Sequence, residues 1–232
     1  MSSSPRPRSP RGSGARLRNE ILAAAAELLT RTGNADAVSI RAVGKLVGVS
    51  APSIYRHFAD KDELIDAVVA QVFADLDSAM RAAIDPADPP TIRMRDLGLA
   101  YIRFALDHPE QYRLATAPTQ TEGEVDLVLT SGAFQLFAGT VQEAMAAGLI
   151  DPGDPTPIVL DLWAAAHGIA SLLLAKPFVP WGDPMTAAAR VLDAACAGHV
   201  VTELIGPDAG PDEISTWLIE LRAQKRGETR AR

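Results

Sequence analysis

Cysteine is nearly absent from this sequence, and its scarcity excludes several kinds of site. Cys196 is the one cysteine among 232 residues, so an intramolecular disulfide is impossible. One cysteine and four scattered histidines are also too few for a Cys/His zinc site. We therefore expect no metal ion or other cofactor, and a reducing compartment.

Long apolar runs are missing as well. The opening segment, MSSSPRPRSPRGSG, contains arginines but no apolar stretch of signal-peptide length behind them. No later run approaches the roughly 18 uninterrupted apolar residues of a membrane span. These absences predict a soluble cytoplasmic protein with no membrane partner.

Catalytic signatures are the third absence. The sequence has no glycine-rich phosphate loop, no nucleophile elbow and no HExxH motif. Asp151, Asp154 and Asp161 have the positions of loop and cap residues rather than of a ligand set. We expect no enzymatic activity, and an enzyme is kept only as an alternative.

Charge is plentiful but unevenly divided. The formal net charge is −7, yet residues 1–61 contain 10 Lys/Arg and 4 Asp/Glu, a net +6, whereas the remainder contains 12 and 25, a net −13. A basic end on an acidic body predicts that polyanion binding is confined to that end. The alternative is chance unevenness in a Ser/Pro-rich tail that contains Arg6, Arg8 and Arg11.

Periodicity begins only after the basic tail. Residues 1–14 show no apolar repeat and predict a disordered arm. A first amphipathic helix is predicted from Arg16 to near Gly33. Its inward face consists of Leu17, Ile21, Leu22, Ala25, Leu28 and Leu29.

Hydroxyl residues then mark the starts of two short helices. Ser39 and Ser50 are their predicted N-caps, and the helices are expected to end near Val47 and Phe58. Pro52 lies in the first turn of the second of these helices. Backbone N–H groups there have no hydrogen-bond acceptor within the helix, so a proline, which lacks the N–H, is tolerated.

The rest of the chain predicts helices only. Asp60 and Glu63 form a capping box for a fourth helix. Further helices are expected at 91–107, 109–116, 122–148, 156–176, 184–205 and 212–225, with breaks at proline-rich stretches. Because no segment shows sustained two-residue alternation, we predict an all-α fold of about nine to ten helices.

The two short helices have the spacing of a helix-turn-helix, whose second helix enters the major groove of DNA. Packing uses few of its residues, chiefly Ile54 and Phe58, so the others are free to face outward. Ala51, Pro52 and Ser53 are small enough to approach base edges, while Tyr55, Arg56, His57 and Lys61 are phosphate-binding donors. The alternative is an ordinary all-helical surface with solvated polar side chains.

The segment SIRAVGKLVGVSAPSIYRHFADKDEL resembles the amino-terminal DNA-binding domain of the TetR family of bacterial transcriptional repressors. The resemblance lies in Ser39, the Gly48-Val49-Ser50 turn, Tyr55-Arg56-His57-Phe58 and Lys61-Asp62-Glu63-Leu64. It implies that Arg41, Ala51, Pro52, Ser53 and Tyr55 face bases or nearby sugar-phosphate, that Ser39, Tyr55, His57 and Lys61 hold phosphates, and that Arg56 does either. One departure is Gly44 inside the second helix, which costs roughly 1 kcal/mol relative to alanine.

The later helices resemble the carboxy-terminal subgroup of that family named for its Trp, His and Gly, here Trp163, His167 and Gly168. The resemblance implies a homodimer formed by long carboxy-terminal helices and a small-molecule effector held between the preceding ones. Candidate pocket walls are Tyr101, Phe104, Phe134, Phe137 and Trp163, with Arg103, His108, Arg113 and His167 as candidate polar anchors. Each of these is equally explained as a core or surface residue of a helical domain.

The expected organisation is a disordered basic arm (1–14), a helix-turn-helix domain (15–62), a connecting helix (63–84) and a helical effector-binding and dimerisation domain (85–232). Our hypothesis is a repressor that binds a palindromic operator in double-stranded DNA and is released by an effector. A helix-turn-helix protein that binds another protein instead is the alternative.

Overall fold

The structure is a computed structural model that describes residues 13–32, 38–116, 131–206 and 209–230. Every regular element in these ranges is an α-helix, which confirms the predicted all-α fold. The ten helices are α1 (Ser13–Thr32), α2 (Ile40–Val47), α3 (Ala51–Ile54), α4 (Lys61–Ala82), α5 (Pro90–Asp107), α6 (Pro109–Ala115), α7 (Gly132–Ala146), α8 (Thr156–Ala175), α9 (Pro184–Ile205) and α10 (Pro211–Arg230).

Most helix boundaries lie within two residues of their predicted positions, and the exceptions have identifiable causes. Helix α1 begins at Ser13, so the last two residues assigned to the arm are helical, while the rest of the arm lies outside the described residues. The helix predicted at 122–148 is described only from Gly132. Helix α10 continues to Arg230, five residues beyond the expected end, because the segment after residue 225 contains no proline and the single Gly227 lowers helix propensity without breaking the helix.

The described chain divides into two compact units. One contains the residues up to Ser78 together with Asp107–Gly132, and the other contains Ala79–Leu106 and the residues from Ala133 onward. Helix α6 thus belongs with α1, against which it packs.

The first unit has a small apolar core shared by α1 to α4. Ile21, Val43, Ile54, Phe58 and Leu64 are almost completely buried within it. Helix α3 contributes Ile54 and the turn after it contributes Phe58, and these two side chains fix the position of α3 against the longer helices.

Three residues, Ser39, Gly48 and Gly44, position α2 and the turn after it. The hydroxyl of Ser39 accepts a hydrogen bond from the N–H of Ala42, as predicted for an N-cap. Gly48 ends α2 with φ of 76°, a conformation that favours glycine. The N–H of Val49 donates to the carbonyl of Gly44 at 2.9 Å, and a Cβ at Gly44 would lie only 2.8 Å from the Val49 oxygen. The glycine inside α2 therefore permits the turn to pack closely.

The second unit has its core between α5, α7, α8 and α9. Leu97, Ile102, Val141, Val159 and Leu192 are nearly inaccessible to solvent. Helices α8 and α9 pack against each other along their lengths.

Helix α8 is the one described helix whose length and composition alone would allow it to cross a membrane. Six of its residues are buried, and it contains Asp161 and His167. Its buried residues lie on the side that packs in the core of the second unit, where α8 contacts α9.

A buried arginine joins two helices of this unit. Arg93 on α5 is only 7% exposed; its guanidinium pairs with Glu143 on α7 and donates to the carbonyl of Asp88 at 3.1 Å. The hydrogen bond from Arg93 lowers the pKa of Glu143 below its usual value of 4.5. The Glu143 carboxylate itself remains largely in contact with solvent. Breaking the pair therefore leaves a buried charge at Arg93 but a hydrated charge at Glu143.

Replacing Gly44 by alanine should lower the free energy of unfolding by about 1–3 kcal/mol, because the Val49 backbone would have to move. The matched control is Gly139→Ala in α7, where an added Cβ meets no atom within 4 Å. That change should raise stability by roughly 1 kcal/mol through helix propensity alone. Urea denaturation followed by circular dichroism measures both, and equal stabilisation by the two changes would contradict the close-packing explanation.

The Arg93–Glu143 pair should respond asymmetrically to mutation. Glu143→Ala leaves a buried cation with only a carbonyl partner and should cost about 2–3 kcal/mol, whereas Arg93→Met leaves an exposed carboxylate and should cost about 1 kcal/mol or less. Since the pKa of Glu143 is lowered on folding, its contribution is present above pH 4.5 and is lost as the pH falls below it. Both variants should therefore show a weaker decline of stability in acid. Equal costs for the two changes would contradict this account.

Candidate nucleic-acid interface

The candidate DNA-reading segment is α3 with the turn that follows it. Helix α3 comprises Ala51–Ile54, and hydrogen bonds from Tyr55 N–H to the Ala51 carbonyl and from His57 N–H to the Ile54 carbonyl carry the helical path onward. The predicted end near Phe58 was therefore too late for the α-helix itself. The final turn is tighter because His57 bonds three residues back instead of four.

This segment presents nearly all of its polar residues outward. Pro52, Tyr55 and Arg56 are exposed, with Tyr55 53% accessible, while Ala51, Ser53 and His57 are half-buried. Of the other predicted DNA-binding residues, Ser39 and Arg41 are exposed and Lys61 is half-buried. All nine lie in the first unit, on α2, on α3 with its following turn, or at the start of α4.

Three polar side chains on this surface are joined by hydrogen bonds. The hydroxyls of Ser50 and Ser53 are 3.1 Å apart, and Nη2 of Arg56 donates to the Ser53 hydroxyl at 3.2 Å. Ser50 occupies the N-cap position, but its expected side-chain cap to the helix backbone is absent because its hydroxyl bonds Ser53 instead. The guanidinium of Arg56 is consequently held back along α3 toward its amino-terminal end.

The carboxylates nearest the segment are engaged with backbone N–H groups. Asp60 accepts from the N–H of Glu63 at 2.8 Å, and Glu63 accepts from the N–H of Ala59. This confirms the predicted capping of α4, with Glu63 reaching one residue farther back than the usual box. Phosphate would thus meet carboxylates whose charge is partly offset by backbone donors.

Sequence reasoning missed the part that α1 plays here. The guanidinium of Arg18 lies 4.9 Å from the centroid of the Phe58 ring, and a Cβ at Gly14 would lie 3.9 Å from Cε1 of His57. The first turns of α1 therefore support the end of the reading segment. Arg16 instead pairs with Glu20 at 2.9 Å on the same helix. No local pattern indicates a contact between residues 40 positions apart.

The second unit contains a polar cluster among the candidate effector residues. The hydroxyl of Tyr101 is 3.2 Å from Nδ1 of His167, whose Nε2 is 3.4 Å from the hydroxyl of Ser171. The rings of Trp163 and His167 are tilted by 50° with centroids 5.8 Å apart. Partial burial lowers the pKa of His167, so the imidazole is neutral at neutral pH.

The remaining candidates divide by exposure. Phe104 and Phe137 are buried and Phe134 is half-buried, as core or pocket-wall residues would be. Arg103 and His108 are exposed, and Arg113 pairs with Glu110 on α6. Because Arg103 is exposed, its charge is hydrated and does not require an acidic ligand as a partner. Among the described residues, no group of three His, Cys, Asp or Glu is placed to hold a metal ion.

Two family models match this chain. The model for bacterial regulatory proteins of the tetR family matches residues 21–68, and the model for the tetracyclin repressor-like carboxy-terminal domain matches residues 94–195. The first covers the helix-turn-helix and the second covers most of the second unit. Neither match bears on the Trp-His-Gly subgroup, which stays a prediction.

Solved structures share the fold of this chain. A protein of unknown function from Rhodococcus sp. RHA1 is 31% identical, with a TM-score of 0.68 over 79% of this chain and 95% of that one. A putative transcriptional regulator of the TetR family from Vibrio parahaemolyticus is 21% identical, with a TM-score of 0.63 over 78% of this chain and 97% of that one.

Among curated proteins, the nucleoid occlusion factor SlmA of Edwardsiella ictaluri (strain 93-146) is 23% identical over 167 residues, 69% of this chain and 84% of that protein. The two family models, the shared fold and the outward-facing helix-turn-helix agree. The chain belongs to the TetR family and is a DNA-binding transcriptional regulator.

Proposed function

We propose that the protein is a homodimeric, cytoplasmic repressor that occupies a palindromic operator and is released by a small-molecule effector, acting by binding rather than by catalysis. The observation that carries this proposal is the reading segment, in which Ile54 and Phe58 are buried while the side chains around them face solvent. A surface that serves only packing would not expose so many donors on so short a helix.

The residues of this surface divide by chemistry. Ala51, Pro52 and Ser53 are small and lie at the start of α3, where the backbone is able to approach base edges. Arg56, held by Ser53, is directed to the same end and suits the O6 and N7 acceptors of guanine.

Phosphate contacts fall to the residues around the reading segment. Ser39, Arg41, Tyr55, His57 and Lys61 supply the hydroxyl and nitrogen donors that such contacts use. These contacts orient the protein on the duplex and add affinity without reading sequence.

Dimerisation is proposed to use the outward sides of α8 and α9. On α8 the exposed or half-buried positions repeat every fourth residue: Leu160, Ala164, Gly168 and Leu172. On α9 the exposed positions include Val191, Ala194, Ala197, Gly198 and Val200. Small residues allow helices to approach closely, and a two-fold axis would pair two reading segments with successive major-groove faces.

The effector is proposed to bind next to Tyr101 and His167. Both are polar, neutral and at least partly buried, and Trp163 supplies an aromatic surface beside them. With Arg103 exposed, the cluster favours an uncharged ligand with hydrogen-bonding groups over an acid. Release requires that this ligand bind the DNA-incompetent conformation more tightly than the competent one.

Measurements of operator binding by two variants should distinguish phosphate contacts from base contacts. Lys61→Ala should weaken binding uniformly across sequences and reduce the salt slope by about 1, whereas Arg56→Ala should cost about 1–3 kcal/mol and relax preference at one base pair. Gel shifts on DNA flanking the protein's own gene, at graded salt, measure both.

Arg31→Ala is the matched control for these variants. Arg31 is an exposed arginine in the last turn of α1, paired with Glu27, and its loss should leave the affinity unchanged. If the wild-type protein gives no salt-sensitive, sequence-selective shift, the proposed operator function is wrong. If all three variants bind equally, the surface serves another partner.

A mutation in the proposed effector site should weaken ligand binding without weakening operator binding. A ligand found by thermal-shift screening that releases operator DNA should bind Tyr101→Phe at least about fivefold more weakly, because a hydrogen bond worth about 1 kcal/mol is lost. Affinity for the operator itself should not change. Tyr112→Phe, which alters a buried tyrosine of the first unit, is the control. Equal ligand binding by the Tyr101 variant and the wild type would place the effector elsewhere.

A further inference from the structure

The loop between α8 and α9, residues 176–183, displays an aromatic side chain to solvent. Phe178 is 99% exposed, the highest value among the large apolar side chains that the structure describes, and the adjacent Val179 is 43% exposed. A fully exposed phenylalanine forgoes the free energy that burial of its ring would contribute, so the folding of a single chain does not explain the position of Phe178.

The loop that carries Phe178 is internally bonded. The indole N–H of Trp181 donates to the carbonyl of Lys176 at 2.9 Å, and the N–H of Val179 donates to the same carbonyl at 3.2 Å. Gly182 follows with φ of 74°, and Asp183 then caps α9 by accepting from the N–H of Thr186 at 2.7 Å. These bonds close the loop at both ends and leave Phe178 at its tip. A loop whose backbone is already held in one conformation loses less conformational entropy on binding, which favours its use as an interface anchor.

The position of the loop in the chain indicates which molecule covers Phe178. The loop connects the two helices whose outward sides form the proposed dimer surface, and exposed Leu172 on α8 and Val191 on α9 flank it in sequence. That surface also carries small side chains, Ala164 and Gly168 on α8 and Ala194, Ala197 and Gly198 on α9, over which an aromatic ring can pack closely. A second copy of this chain offers the same small-residue surface, and a two-fold interface uses each such contact twice.

We infer that the 176–183 loop is a dimer clamp in which Phe178 inserts into the small-residue surface of α8 and α9 on a second copy of this chain. This inference rests on the proposed function, which supplies the dimer. It adds a loop contact to the proposed helix-helix interface, with Trp181 and Asp183 as the residues that hold the loop in its binding conformation.

Sedimentation across a dilution series tests the clamp. Phe178→Ser should raise the dimer dissociation constant by about 30-fold or more, as loss of an anchoring aromatic does, with the symmetry counting each loss twice. Trp181→Phe keeps an aromatic ring but removes the indole donor, and it should raise the constant by a smaller factor of about 3–10. The matched control is Leu149→Ser, another exposed apolar residue of the second unit, which should leave dimerisation unchanged.

Cross-linking identifies the occupant directly. Benzoylphenylalanine at position 178, in dimers mixed from isotopically light and heavy chains, should give light-heavy cross-links that map to α8 or α9. The same group at position 149 is the control. Cross-links confined to one chain, or captured on a different protein, would overturn the proposal.

The outcomes also separate this inference from the proposed function. A wild-type dimer that Phe178→Ser leaves equally tight would disprove the clamp and leave the dimeric repressor standing. A wild-type chain that is monomeric at every concentration would disprove the proposed dimer, and the clamp with it.

Discussion

Burial of two side chains, Ile54 and Phe58, is the interaction on which the function of this protein depends. A four-residue helix is far too short to persist alone in water, since helix nucleation is unfavourable and most helical stability in proteins comes from packing. The two residues are at most 1% exposed, and burying each contributes about 2–3 kcal/mol. Because they fall four positions apart, they occupy one side of the segment. The residues between and around them are thereby left to face outward, and a reading surface results.

The rest of the first unit is arranged around that burial. Gly44 lets the turn approach α2, and Arg18 lies over the face of the Phe58 ring, where a cation is attracted by the π-electrons. The polar network of Ser50, Ser53 and Arg56 lies on the solvent side, so its hydrogen bonds exchange with water at small net cost. The scaffold is therefore fixed by apolar contacts, while the groups that are proposed to contact DNA stay free to rearrange on binding.

Local signals made much of this architecture predictable, and distant contacts made the remainder unpredictable. Ser39, Gly48 and the Asp60–Glu63 pair each act within four residues of themselves, so their types and spacing predicted caps and turns that the structure contains. The hydroxyl of Ser50 was expected to cap α3, yet the choice between a backbone N–H and the Ser53 hydroxyl depends on side-chain rotamers. Arg93 and Glu143 lie 50 residues apart, and nothing near either in sequence indicates the other. The outward-facing residues of the proposed DNA surface are nearly consecutive, so a local pattern is enough to predict their exposure, whereas the cluster around Tyr101 is assembled only by tertiary folding.

If the proposed effector binds at the cluster around Tyr101, the hydrogen bonds of that cluster limit how the ligand is able to act. Tyr101, His167 and Ser171 already hydrogen-bond one another in the partly buried part of the second unit. A ligand that displaces these bonds without replacing them would leave polar groups unsatisfied, at a cost of about 1–3 kcal/mol each. Affinity must therefore come from a ligand that bonds to the same groups while its apolar part packs on Trp163. Since His167 is neutral, such a ligand gains no charge pairing there, and its discrimination between conformations must arise from shape and hydrogen-bond geometry. A response of this kind should depend little on ionic strength, in contrast to the phosphate contacts of the reading segment.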